Sequence, residues 1–243
     1  MPKEEKTSDG GSRIYRYRHP PKEGPIVGGE PANIEAISAH IERHVGPIDT
    51  VFHEIVSPTI HVDVHHVPPD AQRAFHVLVT SGMSDLAMTV PEGLGDLAFA
   101  EVVALLPREW PLTQEAFNDE RNYWPVRTLK FLARFPHEYG SWLGLDHTIP
   151  NGDPPAPYAD NTAFCGVILT VPISLPREFF ALELKDGRKI QFLAIAPLLE
   201  EEMELKLSKG TDALFDRFDK CGISDVIDVG RQSACRKRRW WFS

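Results

Sequence analysis

Short β-type runs separated by turn-forming residues constrain the fold of this chain more than any other feature. The runs cover 51–56, 59–67, 74–80, 97–106, 164–171, 179–184 and 190–195. An Asp-Gly pair at 186–187 predicts a tight hairpin between the last two runs. Helical segments lie between other runs, with no internal repeat and no clear interdomain linker. The pattern predicts a single α+β domain, a mixed or antiparallel sheet packed with helices.

Four segments carry the signals of helices, at 31–45, 125–136, 200–209 and 211–218. In the first, an apolar stripe recurs at three- and four-residue steps and Gly46-Pro47 ends it. Pro125 suits a first helical position, and Pro136 is expected to stop that helix. The Gly/Pro/Asp-rich loop that continues to Pro157 is expected to pair with no strand.

Charge and composition limit the partners and the compartment. The formal net charge is −9, and without the four cations Arg236, Lys237, Arg238 and Arg239 it is −13. This negative charge argues against a broad nucleic-acid-binding face and favours basic proteins or peptides as partners. No apolar run reaches eighteen residues, so no membrane partner is expected. Three cysteines and the lack of a secretory signal predict a cytoplasmic protein.

The two ends of the chain differ in composition from its centre. Residues 1–25 are polar and rich in Pro and Gly, which predicts a flexible leader. Residues 236–243 form a basic and aromatic tail. One such cluster is weak evidence for a membrane anchor, so we expect the tail to pack on the domain or to dock on a partner. The folded domain is predicted to span 26–235.

The stretch Leu132–Pro154 mixes aromatic, acidic and imidazole groups more densely than any other window. Its expected companion is Leu78–Met88, where a β-type run breaks at Ser81-Gly82. We interpret the two stretches as one working surface that binds a partner. The predicted partner-binding residues are Phe135, Tyr139, Trp142, Asp146, His147, Ser84 and Asp85.

Two enzymatic patterns were weighed against this interpretation. In a strand His61, Asp63 and His65 share one face, and such a set suits zinc or iron. The same alternation also describes an ordinary polar strand face. Asp146-His147 offers a carboxylate beside an imidazole for acid–base work. Since no complete catalytic constellation emerges, we expect no catalytic residue, cofactor or metal; a metal-dependent or acid–base hydrolase is the alternative.

Five stretches resemble signature segments of the Suppressor of fused domain family. They read SGMSDLAM, WPVRTLKFLARFPHEYGSWLG, DHTIPNGDP, EEEMELKLSKGTDALFDRF and ISDVIDVGR, and the resemblance runs from about residue 35 to the C-terminus. It implies the family's fold and a non-enzymatic protein- or peptide-binding module like the N-terminal domain of Suppressor of fused. For a stand-alone bacterial member it implies an immunity protein, with a basic toxin domain as its partner.

The same resemblance implies the position of a peptide pocket. The animal protein uses an aromatic residue at the end of the helix that carries the Leu-Ala-Arg sequence, which is 132–134 here. It also uses an Asp just before a His, and the matching positions in this chain are Phe135 and Asp146. Phe135 stands where the family has a tyrosine, so a hydroxyl donor is lost. The intervening loop is one residue shorter, and the animal protein closes its groove with a second domain.

Overall fold

The computed structural model describes residues 4–17, 30–53 and 60–236. An eight-stranded sheet lies at its centre. The strands are β3 (Thr50–Phe52), β4 (Asp63–Val67), β5 (Phe75–Ser81), β6 (Phe99–Pro107), β7 (Thr148–Pro150), β8 (Gly166–Thr170), β9 (Ala181–Glu183) and β10 (Lys189–Leu198). Their order is β3-β4-β5-β6-β10-β8-β7, and β9 also pairs with β10. Since β6 and β10 are parallel and the other pairs antiparallel, the predicted mixed α+β sheet is confirmed.

Helices cover both faces of this sheet. On one face α2 (Glu120–Tyr139) buries Trp124, Leu129 and other side chains against β4, β5 and β6. On the opposite face α1 (Pro31–His44) buries Ile37 and Ile41. Two short helices, α3 (Glu200–Lys209) and α4 (Thr211–Cys221), form a third cluster beside β8. The sheet is therefore the middle layer of three.

The elements with strong local signals are confirmed. The α1 helix follows the predicted apolar stripe. The α3 helix has the predicted bounds, with three acids in its first turn and lysines in its last. The β9–β10 hairpin turns at Asp186-Gly187, and Gly187 has a φ of 87°. Of the first β-type run, β3 forms the start, and residues 54–59 lie outside the described residues.

Two expectations about the central stretch are wrong. The α2 helix starts before Pro125 and continues through Pro136 to Tyr139. Asp119 caps its start by accepting a hydrogen bond from the Arg121 N–H, and Gly140, at φ 58°, closes its end. The Pro136 ring is buried, and its packing offsets one lost backbone bond in the last turns. In the following loop β7 pairs with β8, where no regular pairing was expected.

The described part of the predicted flexible leader is a docked hairpin. It consists of β1 (Glu4–Thr7) and β2 (Arg13–Arg16). At its tip the Gly10 N–H donates to the Leu207 carbonyl at 2.7 Å. A Cβ on Gly10 would lie 2.4 Å from the backbone nitrogen of Gly210, so only glycine permits this approach.

The two ends are described in part. Residues 1–3, 18–25 and the tail residues 237–243 lie outside the described residues, and the domain boundaries at 25 and 235 stay predictions. Within 4–17, 30–53 and 60–236, none of the helices combines the length and the hydropathy that crossing a bilayer requires.

Candidate functional site

The two stretches singled out in the sequence lie against each other. His137, near the end of α2, donates from Nε2 to the carbonyl of Met83 at 3.0 Å. The Thr89 N–H donates to the Ser141 carbonyl at 2.9 Å. Burial lowers the pKa of His137, and the hydrogen bond to the Met83 carbonyl acts in the opposite direction. The two stretches are therefore in contact, and their role in partner binding stays a prediction.

Three aromatic residues of α2 and one of the leader form what we call the aromatic cluster: Tyr17, Phe131, Phe135 and Tyr139. The Tyr17 ring lies 5.1 Å from Phe135, edge to face, and 5.2 Å from Tyr139. Its hydroxyl shares a hydrogen bond with Ser141 Oγ. Phe131 is 40% exposed at the other end of the cluster. The leader thus covers part of the surface that Phe135 and Tyr139 were predicted to offer.

Residues 140–147, here called the Trp142 loop, follow directly after α2. The rings of Trp142 and His147 meet edge to face at 4.4 Å. The His147 imidazole donates a hydrogen bond to the Trp142 carbonyl. The pKa of His147 is lowered, mainly by burial and to a smaller extent by the charge of Lys206. Trp142 and Leu145 line an apolar cavity of about 190 Å³, and Leu145 is 49% exposed beside it.

Asp146 stands apart from that cavity. It is the one non-glycine residue with a positive φ, 68°, among the described residues, and its N–H donates to the Leu169 carbonyl at 2.8 Å. Partial burial raises the pKa of its carboxyl group, Lys206 of α3 lowers it, and Asp212 of α4 raises it. The carboxyl group of Asp146 therefore interacts electrostatically with charged side chains of α3 and α4. Lys206 acts on the pKa of both Asp146 and His147, and the only hydrogen-bond partner of the His147 imidazole among the described residues is the Trp142 carbonyl.

Ser84 faces the interior, contrary to its predicted role at a partner surface. Its side chain has 0% exposure, and its hydroxyl donates to Glu101 Oε1 at 2.6 Å. The Ser84 and Gly82 N–H groups donate to the same oxygen, while Thr80 Oγ1 donates to Oε2. The break in β5 at Ser81-Gly82 therefore serves to surround a buried carboxylate with donors.

Asp85 is also used within the fold. Its Oδ2 accepts a hydrogen bond from the Glu30 N–H at 2.9 Å, and its Oδ1 accepts one from Asn33 Nδ2 at 2.8 Å. These contacts give hydrogen-bond acceptors to the start of α1, where free N–H groups favour a negative charge. Asp85 thus joins the β5 turn to α1, and both of its oxygens are occupied.

The three residues weighed as metal ligands do not converge. His65 Nε2 lies 2.9 Å from Ser81 Oγ on the buried side of β4. His61 Nε2 lies 2.9 Å from Asp63 Oδ1, and His53 Nδ1 lies 3.1 Å from the same oxygen. The cluster therefore contains His53 in place of His65. No sequence motif indicates His53, because it reaches Asp63 only through the pairing of β3 with β4.

Comparison with known proteins identifies the family of this chain. The sequence model of the Suppressor of fused protein (SUFU) family matches residues 58–232. The chain belongs to this family. A search of curated proteins returned no match.

Solved SUFU structures share the fold. A protein from Neisseria gonorrhoeae described as a SUFU homologue is 19% identical with a TM-score of 0.59, over 85% of this chain and 98% of that chain. A chain of the Sufu–Fu complex is 15% identical with a TM-score of 0.59, over 84% and 93%. Drosophila Suppressor of fused is 15% identical with a TM-score of 0.52, over 88% of this chain and 52% of that chain. The expected SUFU-like fold is confirmed.

The family resemblance points to Phe135, in the last turns of α2, and to Asp146, near the end of the Trp142 loop. Phe135 packs in the aromatic cluster under Tyr17. Asp146 lies toward α3 and α4. In this SUFU-family chain, Trp142 and Leu145, which line the cavity, lie between the two in the sequence.

Proposed function

We propose that this SUFU-family chain is a non-enzymatic module that binds a protein or peptide segment at the Trp142 loop and the neighbouring aromatic cluster. The observation that carries the proposal is the apolar cavity of about 190 Å³ with half-exposed Leu145 at its edge and Trp142 in its wall. A concave apolar site with a tryptophan in its wall suits one anchoring side chain of a partner. Of the other predicted residues, Phe135 and Tyr139 lie in the last turns of α2, just before the Trp142 loop, and Asp146 and His147 belong to that loop.

Side chains, more than backbone pairing, would supply the affinity. β7 follows His147 and is an edge strand, with no described strand on its outer side. It has three residues, Thr148–Pro150, and Pro150 has no N–H to donate. A partner strand added there would gain few main-chain hydrogen bonds. This favours recognition through pockets over recognition through strand addition.

The charge of the chain indicates a basic partner. A net charge of −9 attracts cationic proteins and speeds their encounter with the surface. The finer part of the proposal follows the family resemblance, which implies for a bacterial member the role of an immunity protein against a toxin. The partner would then be a basic toxin domain whose apolar side chain enters the cavity at Trp142.

Two substitutions test the surface without threatening the fold. Leu145→Asp places a charge at the edge of the apolar cavity on a half-exposed residue. Asp146→Asn removes the charge and keeps a residue type that tolerates a positive φ. The control is Thr113→Asp, which adds the same charge near the other end of α2. Thr113 Oγ1 accepts a hydrogen bond from the Ala116 N–H, and an Asp carboxylate preserves that bond.

The measurement is affinity capture from host extract, followed by titration of the purified captured protein against each variant. We expect Leu145→Asp to weaken binding about tenfold or more, as for an interface anchor, and Thr113→Asp to bind like the parent chain. Asp146→Asn is expected to slow association of a basic partner and to reduce the salt dependence. Equal binding by all variants would place the interface elsewhere. Turnover of a substrate would contradict the non-enzymatic role.

A further inference from the structure

The end of β3 and the approach to β4 bring three metal-ligand side chains together. Phe52 pairs with Val64 in the antiparallel register, so the next residue, His53, lies beside Asp63. His61 precedes Asp63 by two positions, and such residues share one side of an extended chain. His53 Nδ1, His61 Nε2 and a carboxylate oxygen of Asp63 all lie within 4.8 Å of one another.

Asp63 gives the strongest indication that the cluster holds an ion. Its side chain is 8% exposed. Among the described residues, no donor makes a well-oriented hydrogen bond to its Oδ1, although two imidazole nitrogens lie 2.9 and 3.1 Å away. A buried carboxylate oxygen without a hydrogen bond is costly. A cation between the three atoms would satisfy this oxygen and both nitrogens at once.

We propose that His53, His61 and Asp63 form a binding site for a divalent transition-metal ion, best suited to Zn²⁺. Two imidazole nitrogens and one carboxylate oxygen are ligands that zinc prefers. With bonds of about 2.0 to 2.2 Å, ligand atoms in a tetrahedral site lie about 3.4 Å apart, so the side chains need only a small outward shift. His53 is 69% exposed and His61 33% exposed, which leaves the remaining coordination position toward solvent.

Such an ion would have a structural effect at this end of the sheet. It would link the end of β3 to the residues just before β4. Binding to the folded chain alone would raise its stability in proportion to the free metal concentration. β3 and β7 lie at opposite ends of the strand order, so this site is separate from the proposed partner surface.

The test titrates the full chain, stripped of metal by chelator, with ZnCl₂ and follows binding by calorimetry and by the melting temperature. We expect the chain to bind one equivalent of Zn²⁺ tightly and to melt at a higher temperature when the ion is bound. His53→Ala is expected to lower the affinity about tenfold or more. Since His53 is mostly exposed, its removal does not endanger the fold.

Two controls keep the test decisive. His44→Ala removes a partly exposed histidine of α1 outside the cluster and should bind zinc like the parent chain. Co²⁺ used in place of Zn²⁺ should give visible absorption bands that disappear in His53→Ala and in Asp63→Asn. If the parent chain binds no zinc, or if His53→Ala binds it with unchanged affinity and stoichiometry, the site does not exist. Binding lost equally in His44→Ala would indicate nonspecific surface histidines and would likewise overturn the proposal.

Discussion

Glu101 is a carboxylic acid with no exposed surface, and its neighbours decide when it carries a charge. Burial raises its pKa to about 7, although the donors on Ser84 and Thr80 lower it. Ser84 and Gly82 direct three donors at Oε1, which an ionised carboxylate accepts well. Near neutral pH the group is therefore close to half protonated. This makes it the clearest source of pH-dependent stability among the buried carboxyl groups described.

Glu101→Gln should isolate that dependence. Because the folded-state pKa of about 7 exceeds the ordinary value of 4.5, the folded chain keeps a proton that the unfolded chain has lost. The stabilising contribution is present below about pH 4.5 and is lost as the pH rises through 7, a change of about 3 kcal/mol. Urea unfolding of both proteins from pH 5 to 8 should show the parent chain losing about that much relative to Glu101→Gln. A difference that stays constant with pH would contradict this assignment.

At the scale of elements, one buried ion pair joins the C-terminal segment to α3. Arg231 contacts both oxygens of Glu202 at 2.6 Å. Glu202 also accepts the N–H groups of Leu199 and Ala234, so it caps α3 and fixes the segment that follows α4. The Arg231 guanidinium lies 4.8 Å from the centre of the Phe164 ring. Removing the arginine would leave a fully buried carboxylate without its counter-charge.

Arg231→Ala is expected to lower the free energy of unfolding by about 3 to 5 kcal/mol, the usual cost of breaking a buried pair on one side. Arg236→Ala is the matched control, because Arg236 is exposed and contacts Gln232 near the end of the described chain. We expect its effect to stay within about 0.5 kcal/mol. Equal, small losses for both variants in urea unfolding would show that Glu202 is satisfied without Arg231.

Tyr17, directly after the leader hairpin, contacts two rings of α2, those of Phe135 and Tyr139. Tyr17→Ala removes its edge-to-face contact with Phe135, and aromatic pairs contribute about 0.5 to 1.5 kcal/mol each. We expect trypsin to cut near Arg13 and Arg16 sooner, while the melting temperature of the domain changes little. Tyr15→Ala is the control, because Tyr15 is exposed on the hairpin. Unchanged cleavage in Tyr17→Ala would mean that other contacts hold the hairpin.

Across the whole molecule, elements that neighbouring residues specify could be predicted from the sequence. Features that depend on contacts between residues far apart in the sequence could not. The α1 stripe, the α3 helix and the Asp186-Gly187 turn need only their own neighbours. The passage of α2 through Pro136 depends on burial against the sheet, which a local proline rule does not see.

The candidate site divides in the same way. Its aromatic and imidazole residues were visible in the sequence as one dense stretch. The burial of Ser84 could not be predicted in this way, because its hydrogen-bond acceptor, Glu101, lies on another strand. Tyr17 and His53 reach their positions only through packing and strand pairing, and both precede the range 58–232 that matches the SUFU family.

Partner binding at the Trp142 loop can be tested by amide hydrogen exchange. The purified chain would be compared with and without its captured partner, with the Leu145→Asp variant in parallel. We expect slower exchange in residues 140–147 and at the C-terminal end of α2 when the partner is bound, and no such slowing in Leu145→Asp. Protection confined to β3, to the helices α3 and α4, or to the N-terminal end of α2 would contradict this expectation.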